Sequence, residues 1–222
     1  MTTITVRGTA QREVQPERAL VRLGVEASGE NRGEVWASVQ RAHEALVAQA
    51  KELVETGRAV DWTALEIQVG TYMDWVPLAG SPGQNQQVRR FRASGDITVE
   101  FTNFTELGRW LASIAELAGV EVRGVTWRLT DQTASEIGRE VRTEAVADAA
   151  QRAKDYAAAI GVGHHLSLES LFEPGLYPGP EVGGLPVPRG VLLAAAESSA
   201  VELRPAIVPV TAEITAVFTT RS

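Results

Sequence analysis

The first 27 residues constrain the fold most strongly, because apolar and polar side chains alternate there over two successive stretches. The stretches run from Ile4 to Val14 and from Ala19 to Ala27, with Pro16 between them. Strict alternation is typical of a strand with one buried face, and proline presets φ for a corner. We therefore predict a β-hairpin from Ile4 to Ala27 that turns at residues 15–18.

Two asparagines mark the starts of the first two helices. Asn31 is followed by Glu34, and Asn103 is followed by Glu106, each three residues further on. This spacing is a capping box, in which the first side chain accepts backbone N–H groups of the first turn. Apolar residues at helical spacing follow both asparagines, so we predict a helix after each.

A third and longest helix is predicted from about Thr133 to Ile160. Its alanines permit close packing against a sheet, and Gly161 ends it. The residues expected to face the sheet are Ile137, Val141, Ala145, Ala149, Ala153, Tyr156 and Ile160.

Strand patterns fill the rest of the chain. Leu65–Val69 and Phe91–Phe101 alternate around a hairpin tip rich in Pro and Gly, and the bulge of a later strand is expected at Gly124. The predicted order is ββαββαβαββ in a mixed, mostly antiparallel sheet, an α+β fold with its helices on one face. We predict one domain over residues 1–222, with lobes at 1–72 with 206–222 and at 88–172, and a Pro/Gly-rich arm at 173–205.

Composition excludes several classes of function. The net charge of −7 comes with no cluster of Lys and Arg, which argues against nucleic acid as a partner. No apolar run approaches the roughly 20 residues that a membrane-spanning helix needs, so we expect no membrane insertion. The chain has no cysteine, which excludes thiolate sites and disulfides. Met1 leads directly into the first strand, so we expect a cytoplasmic protein, and the alternative is an envelope protein whose export signal is missing.

The order of several short segments resembles the SIMPL domain family. Members of this family begin with a V-x-G-x-G strand, turn at Pro-Asp, and carry a long alanine-rich helix before a glycine. In this chain Ala10 stands at the second glycine and Glu17 at the aspartate. The segments that carry the resemblance are Ile4–Gly8, Pro16–Ala19, Thr143–Ala149, Ala153–Lys154, Gly161 and Pro205–Pro209.

The resemblance implies a fold and a tendency to assemble, and it supplies no catalytic residue. Bacterial members resemble periplasmic or outer-membrane-associated proteins, some of them ring-like oligomers, and stress tolerance is a suggested role. We therefore expect a non-enzymatic homo-oligomer without a cofactor, acting as a scaffold or binding module whose small-molecule ligand, if any, is unknown. The alternative is a small-molecule or divalent-metal-binding protein, or an enzyme with a cleft between its lobes.

Four carboxylates recur every four residues on the longest predicted helix: Glu136, Glu140, Glu144 and Asp148. Hard divalent cations prefer such oxygen ligands, so the row is a weak candidate metal site. The favoured interpretation is a solvated helix face that arginines of the same helix neutralise. Those arginines are Arg139, Arg142 and Arg152.

The three histidines indicate no metal or catalytic site. His164 and His165 are adjacent, and neighbouring side chains of an extended segment point to opposite faces. A protonated imidazole after a helix is favoured by the helix dipole, so we interpret this pair as part of a helix end. His43 stands alone.

Large apolar residues in the two Pro/Gly-rich segments are candidates for a protein interface. Trp75 and Val76 belong to the hairpin tip, where a polar loop offers them little apolar surface to pack against. Exposed aromatic residues of this kind are enriched at protein contacts. The arm contributes four further interface candidates, Leu176, Tyr177, Leu185 and Val187.

Overall fold

A computed structural model describes residues 2–77, 83–162, 165–173 and 203–220. These residues form three helices and eight strands, every strand pair is antiparallel, and the predicted α+β class is confirmed. In chain order the elements are β1 (Thr3–Val14), β2 (Arg18–Gly29), α1 (Arg32–Glu55), β3 (Asp61–Ala64), β4 (Gln68–Pro77), β5 (Asn85–Phe101), α2 (Phe104–Ile114), β6 (Val120–Arg128), α3 (Asp131–Ala159), β7 (Leu166–Phe172) and β8 (Val208–Thr220).

The strands form two separate sheets. The smaller sheet has the order β1-β8-β7, and the larger has the order β3-β5-β2-β6 with β4 paired to β5. The chain divides into two compact units accordingly: unit 1 comprises residues 1–16, 129–188 and 206–222, and unit 2 comprises residues 17–128 and 189–205. These boundaries differ from those of the predicted lobes, because β1 and β2 belong to different units.

The predicted hairpin from Ile4 to Ala27 is wrong. β1 pairs along its whole length with β8, whereas β2 pairs with β5 and β6. Pro16 lacks the N–H that a ladder needs, and directly after it the Glu17 N–H donates to the Arg128 carbonyl at 2.9 Å, in the sheet of β2. Two alternating stretches around a proline therefore mark a change of sheet in this chain.

Unit 2 has a core of large aliphatic and aromatic side chains. Helix α1 buries Val39 and Leu46 against the sheet, and α2 buries Leu107 and Ile114. Both predicted caps are confirmed, since the Asn31 and Asn103 side chains each accept two backbone N–H groups of the helix that follows. The predicted irregularity at Gly124 is also present, because the β2–β6 register shifts next to it.

Unit 1 packs one helix on a three-stranded sheet through small side chains. The buried residues of α3 recur every four positions: Val141, Ala145, Ala149, Ala153 and Ala157. Tyr156 and Ile160, which were predicted to face the sheet, are exposed. The contact therefore follows the alanine stripe through to Ala157, and the larger side chains of the last turns lie off it.

The strands before the long hairpin also differ from the prediction. The sequence pattern predicts one strand over Leu65–Val69, but the chain forms β3 before this segment and β4 from Gln68 onward. Both strands pair with β5, which at 17 residues is long enough to hold two partners end to end. The described residues therefore contain one strand more than the predicted order.

Candidate functional site

A close helix-to-strand approach in unit 1 lies at Gly8 of β1. A Cβ atom added there would lie 2.8 Å from both the Cβ and the backbone nitrogen of Ala149, and closer still to the carbonyl oxygen of Ala145. Real Cβ atoms do not approach other atoms so closely, so only glycine fits. The segments around Gly8 and Ala149, both of which carry the family resemblance, thus meet in one packing contact.

The acidic row of α3 is bound to β1 by hydrogen bonds and ion pairs. The Arg12 guanidinium donates to the carboxylates of both Glu140 and Glu144. The Thr9 backbone N–H donates to Asp148 Oδ2 at 2.9 Å, and Arg152 Nε reaches the same oxygen at 2.9 Å. The hydrogen bond from Thr9, followed by that from Arg152, lowers the pKa of Asp148 below its ordinary value.

This pairing changes the interpretation of the row as a metal site. Among the residues that the structure describes, no group of three or more metal-ligating side chains is arranged to hold an ion. Glu136 accepts from Gln132 Nε2 at 3.0 Å, and the next three carboxylates are engaged as above. Of the three arginines predicted to neutralise the row, Arg152 does so, whereas the Arg139 and Arg142 side chains form no ion pair with any described residue. Arg12 of the neighbouring strand takes their place.

A second candidate site is an exposed apolar surface on the β4–β5 hairpin. Val69, Met73 and Trp75 alternate on one face of β4, and Val69 pairs with the buried Ala93 of β5. Val69 packs against the core of unit 2, but Met73 is 55% exposed and Trp75 63%. The core-side face of this sheet therefore continues as an uncovered apolar surface, which we call the hairpin surface and define by Met73 and Trp75.

The opposite face of the hairpin carries two arginines of β5, whereas the third, Arg89, is the cross-strand partner of Met73. Arg92 lies over the Tyr72 ring, 5.8 Å from its centroid, and Arg90 Nε lies 3.3 Å from Asp74 Oδ2. Residues 68–94 contain three arginines and one aspartate, a net charge of +2 in a chain of net charge −7. The hairpin is thus a basic segment of an acidic protein.

An open groove lies at the base of the hairpin, where α1 begins. It has a volume of about 560 Å³ and is lined by Arg32, Gly33 and Trp36 of α1 and by Ile67 and Val69. Arg32 forms no ion pair with a described residue. The groove is shallow and its charged and aromatic side chains are exposed, so it continues the hairpin surface rather than enclosing a ligand.

His43 is a packing residue of unit 2. Its imidazole lies over Gly95 of β5, where an added Cβ would be 3.0 Å from His43 Cδ2 and 3.4 Å from Ile67. Its Nε2 atom is buried without a hydrogen-bond partner. No acid or nucleophile among the described residues is hydrogen-bonded to its Nε2 atom, so those residues offer it no catalytic partner there.

The remaining sequence candidates divide into described and undescribed residues. Val76 is half-buried and pairs with Gln86, on the face of β4 opposite Trp75. His165 is described and contributes to no metal cluster. The other candidates, His164 and the arm residues Leu176, Tyr177, Leu185 and Val187, lie outside the described residues.

Sequence reasoning missed two residues that now matter, Met73 and Arg12. Met73 lies two positions before Trp75 and therefore on the same strand face, a signal that the alternation of β4 contains. Arg12 could not be identified from the chain, because its partners are more than 120 residues away in sequence. Only the pairing of β1 with β8 under α3 places it there.

Comparison with known proteins identifies a family over nearly the whole chain. The family model SIMPL, described as a protein of unknown function (DUF541), matches residues 4–218. No curated protein matches the chain. Within the described part of the chain, no helix combines the length and the apolar character required to cross a bilayer. The predicted cytoplasmic location stays a prediction.

Proposed function

We propose, from the premise that this chain belongs to the SIMPL family of unknown function, that it is a non-enzymatic protein that assembles with copies of itself. In this proposal the hairpin surface is the contact, and the assembled protein acts as a scaffold or binding module. The arm residues predicted from the sequence are a second part of the same proposal.

The observation that carries the proposal is the exposure of Met73 and Trp75 on the core-side face of a sheet. Elsewhere on this face, as at Ile97 and Val99 of β5, the side chains are fully buried under helices. Trp and Met are enriched in the cores of protein interfaces, and burying an aromatic side chain removes about 150–250 Å² from water. Burial of Met73 and Trp75 against a partner would therefore stabilise an assembly by removing exposed apolar surface from water.

Charge favours a second copy as that partner. The hairpin has a net charge of +2, so the remainder of the chain is strongly acidic. A basic, aromatic segment docked on an acidic copy of the same chain has complementary charges, which speeds association and selects the orientation. Because surface charges are screened by salt, such an assembly should weaken as ionic strength rises.

The experiment compares the molar mass of the wild type with that of Met73→Thr/Trp75→Thr, measured by light scattering after size-exclusion chromatography at micromolar concentration. Threonine is a β-branched residue that suits a strand, and it removes the large apolar surface. We expect an oligomer for the wild type, a monomer or a smaller species for the double variant, and a partial loss of the oligomer at high salt.

Tyr72→Thr is the matched control, since Tyr72 is an exposed aromatic residue of the same strand on the opposite face. It should leave the molar mass unchanged. A monomeric wild type would refute self-assembly, and a double variant that assembles like the wild type would refute the hairpin surface as its contact.

A further inference from the structure

We propose that two arginines facing each other across β2 and β6, Arg18 and Arg128, form a binding site for a phosphate group. The site lies on the face of the larger sheet opposite α1 and α2, and it is independent of the hairpin surface and of self-assembly. Its ligand class is a phosphate dianion, either free or carried as a monoester.

The register places the two arginines in direct opposition. Arg18 and Arg128 are cross-strand partners in the antiparallel pair of β2 and β6. Side chains directly opposite each other in such a pair have Cβ atoms about 4.5–5.5 Å apart, and like charges there destabilise the sheet. The two arginines therefore repel each other, and an anion bound between the two guanidinium groups would remove this repulsion.

Within the described residues, neither arginine is neutralised by a close ion pair. Arg18 Nε lies 3.7 Å from Glu100 Oε1, at the outer limit of an ion pair. Its Nη1 atom is buried and has no hydrogen-bond partner. A buried donor on a charged group is unfavourable without an acceptor, so this N–H lacks the partner that a ligand oxygen would supply.

Arg128 supplies the second guanidinium from the edge of the sheet. β6 is the last strand on this side, and the Arg128 side chain is exposed and forms no ion pair with a described residue. Two other arginines on this face do have a close carboxylate: Arg92 Nε lies 2.8 Å from Glu26 Oε1, and Arg123 is paired with Asp96. The end of the β2–β6 pair thus carries two guanidinium groups, and of these only Arg18 has a carboxylate of a described residue, Glu100, within ion-pair distance.

Paired guanidinium groups suit phosphate better than a monovalent ion. Each presents a planar fork of N–H donors, and a phosphate dianion offers oxygens to both forks at once. Glu100 belongs to β5, which lies on the opposite side of β2 from β6, so it approaches Arg18 from the side away from Arg128. A carboxylate ligand could fill one fork, but it carries half the charge needed to neutralise the pair.

The test is thermal denaturation at constant ionic strength, with inorganic phosphate replacing chloride. We expect phosphate to raise the melting temperature of the wild type in a saturable manner. In Arg128→Gln the response should fall by at least tenfold in apparent affinity, while its melting temperature in chloride equals or exceeds that of the wild type. This combination is informative, because an arginine with a merely structural role would not raise stability on removal.

Arg41→Gln is the matched control: it removes one positive charge from the exposed surface of α1 and should keep the full phosphate response. Loss of the response in this control, retention of it in Arg128→Gln, or no response beyond chloride in the wild type would each overturn the proposal. Glycerol phosphate and vesicles containing phosphatidate, tested by co-sedimentation, distinguish a soluble monoester from a lipid headgroup as the source.

Discussion

In each unit a helix packs on a sheet, but the buried side chains of the helix are large in unit 2 and small in unit 1. In unit 2 the helix α1 buries Leu46 and Leu53 in a core of large aliphatic and aromatic side chains. In unit 1 the helix α3 buries a row of alanines over Gly8, so that backbone approaches backbone. We therefore expect unit 2 to be destabilised most when buried side chains are truncated. We expect unit 1 to be destabilised most when the residues at the close approach are enlarged.

The distribution of tryptophan allows the two units to be observed separately. All five tryptophans of the chain lie between residues 17 and 128, within unit 2. Tryptophan fluorescence therefore reports on unit 2, while circular dichroism also includes the 29-residue α3 of unit 1. Comparing the unfolding transitions seen by fluorescence and by circular dichroism shows which unit a substitution destabilises.

The largest effect is expected from truncation in unit 2. Leu46 is fully buried, and Leu46→Ala should lower the free energy of unfolding by about 3–4 kcal/mol, through lost burial and the cavity that remains. Urea unfolding followed by tryptophan fluorescence measures this change. A loss below about 1 kcal/mol would contradict a volume-based layer in this unit.

The next effect is expected from enlargement in unit 1. Gly8→Val places a side chain against Ala149 and the Ala145 carbonyl, and it should cost about 2–3 kcal/mol, detected by circular dichroism before the fluorescence changes. Gly70→Val is the matched control, because no atom lies within 4 Å of a Cβ at this strand glycine. Equal destabilisation by both variants would show that strand propensity, rather than close approach, explains the result.

The same contrast explains how far the sequence predicted the structure. Local patterns located the caps at Asn31 and Asn103 and most of the alanine stripe of α3, because these depend on neighbours within one helix. They failed at Pro16, since alternation reports that a strand has a buried face and not which strand lies beside it. Pairing of β1 with β8 joins residues about 200 positions apart, and nothing local encodes it.

Candidate sites follow the same division. Trp75 could be selected from its polar surroundings, and the row from Glu136 to Asp148 from its spacing. The partners of that row, Arg12 and the Thr9 N–H, come from the distant strand β1, and the Arg18–Arg128 pair exists only through the register of β2 with β6. Sequence spacing thus predicted which side chains lie on one face. Their contacts depend on the pairing of strands that are distant in the sequence.

The smallest effect is expected from the polar contact that accompanies close approach in unit 1. Asp148 accepts from the Thr9 N–H directly beside Gly8, and its pKa is lowered in the folded chain by this bond and by Arg152. Asp148→Asn keeps an acceptor oxygen for Thr9 but removes the charge. It should therefore reduce stability at neutral pH by less than either core substitution.

The pH dependence of this loss follows from the sign of the shift. A carboxyl group whose pKa is lower in the folded than in the unfolded chain stabilises the fold above the unfolded value, about 3.9 for aspartate, and that contribution disappears as pH falls through the folded value. Melting curves of wild type and Asp148→Asn should thus differ at pH 7 and converge as the pH falls through the pKa of Asp148 in the folded chain. Asp155→Asn removes the same charge from α3 at a carboxylate that, among the described residues, accepts from Gln151 alone, and it should show a smaller difference. If the difference in melting temperature between wild type and Asp148→Asn persisted in acid, the charge of Asp148 would not be its cause. The contact of α3 with β1 would then depend on close packing alone.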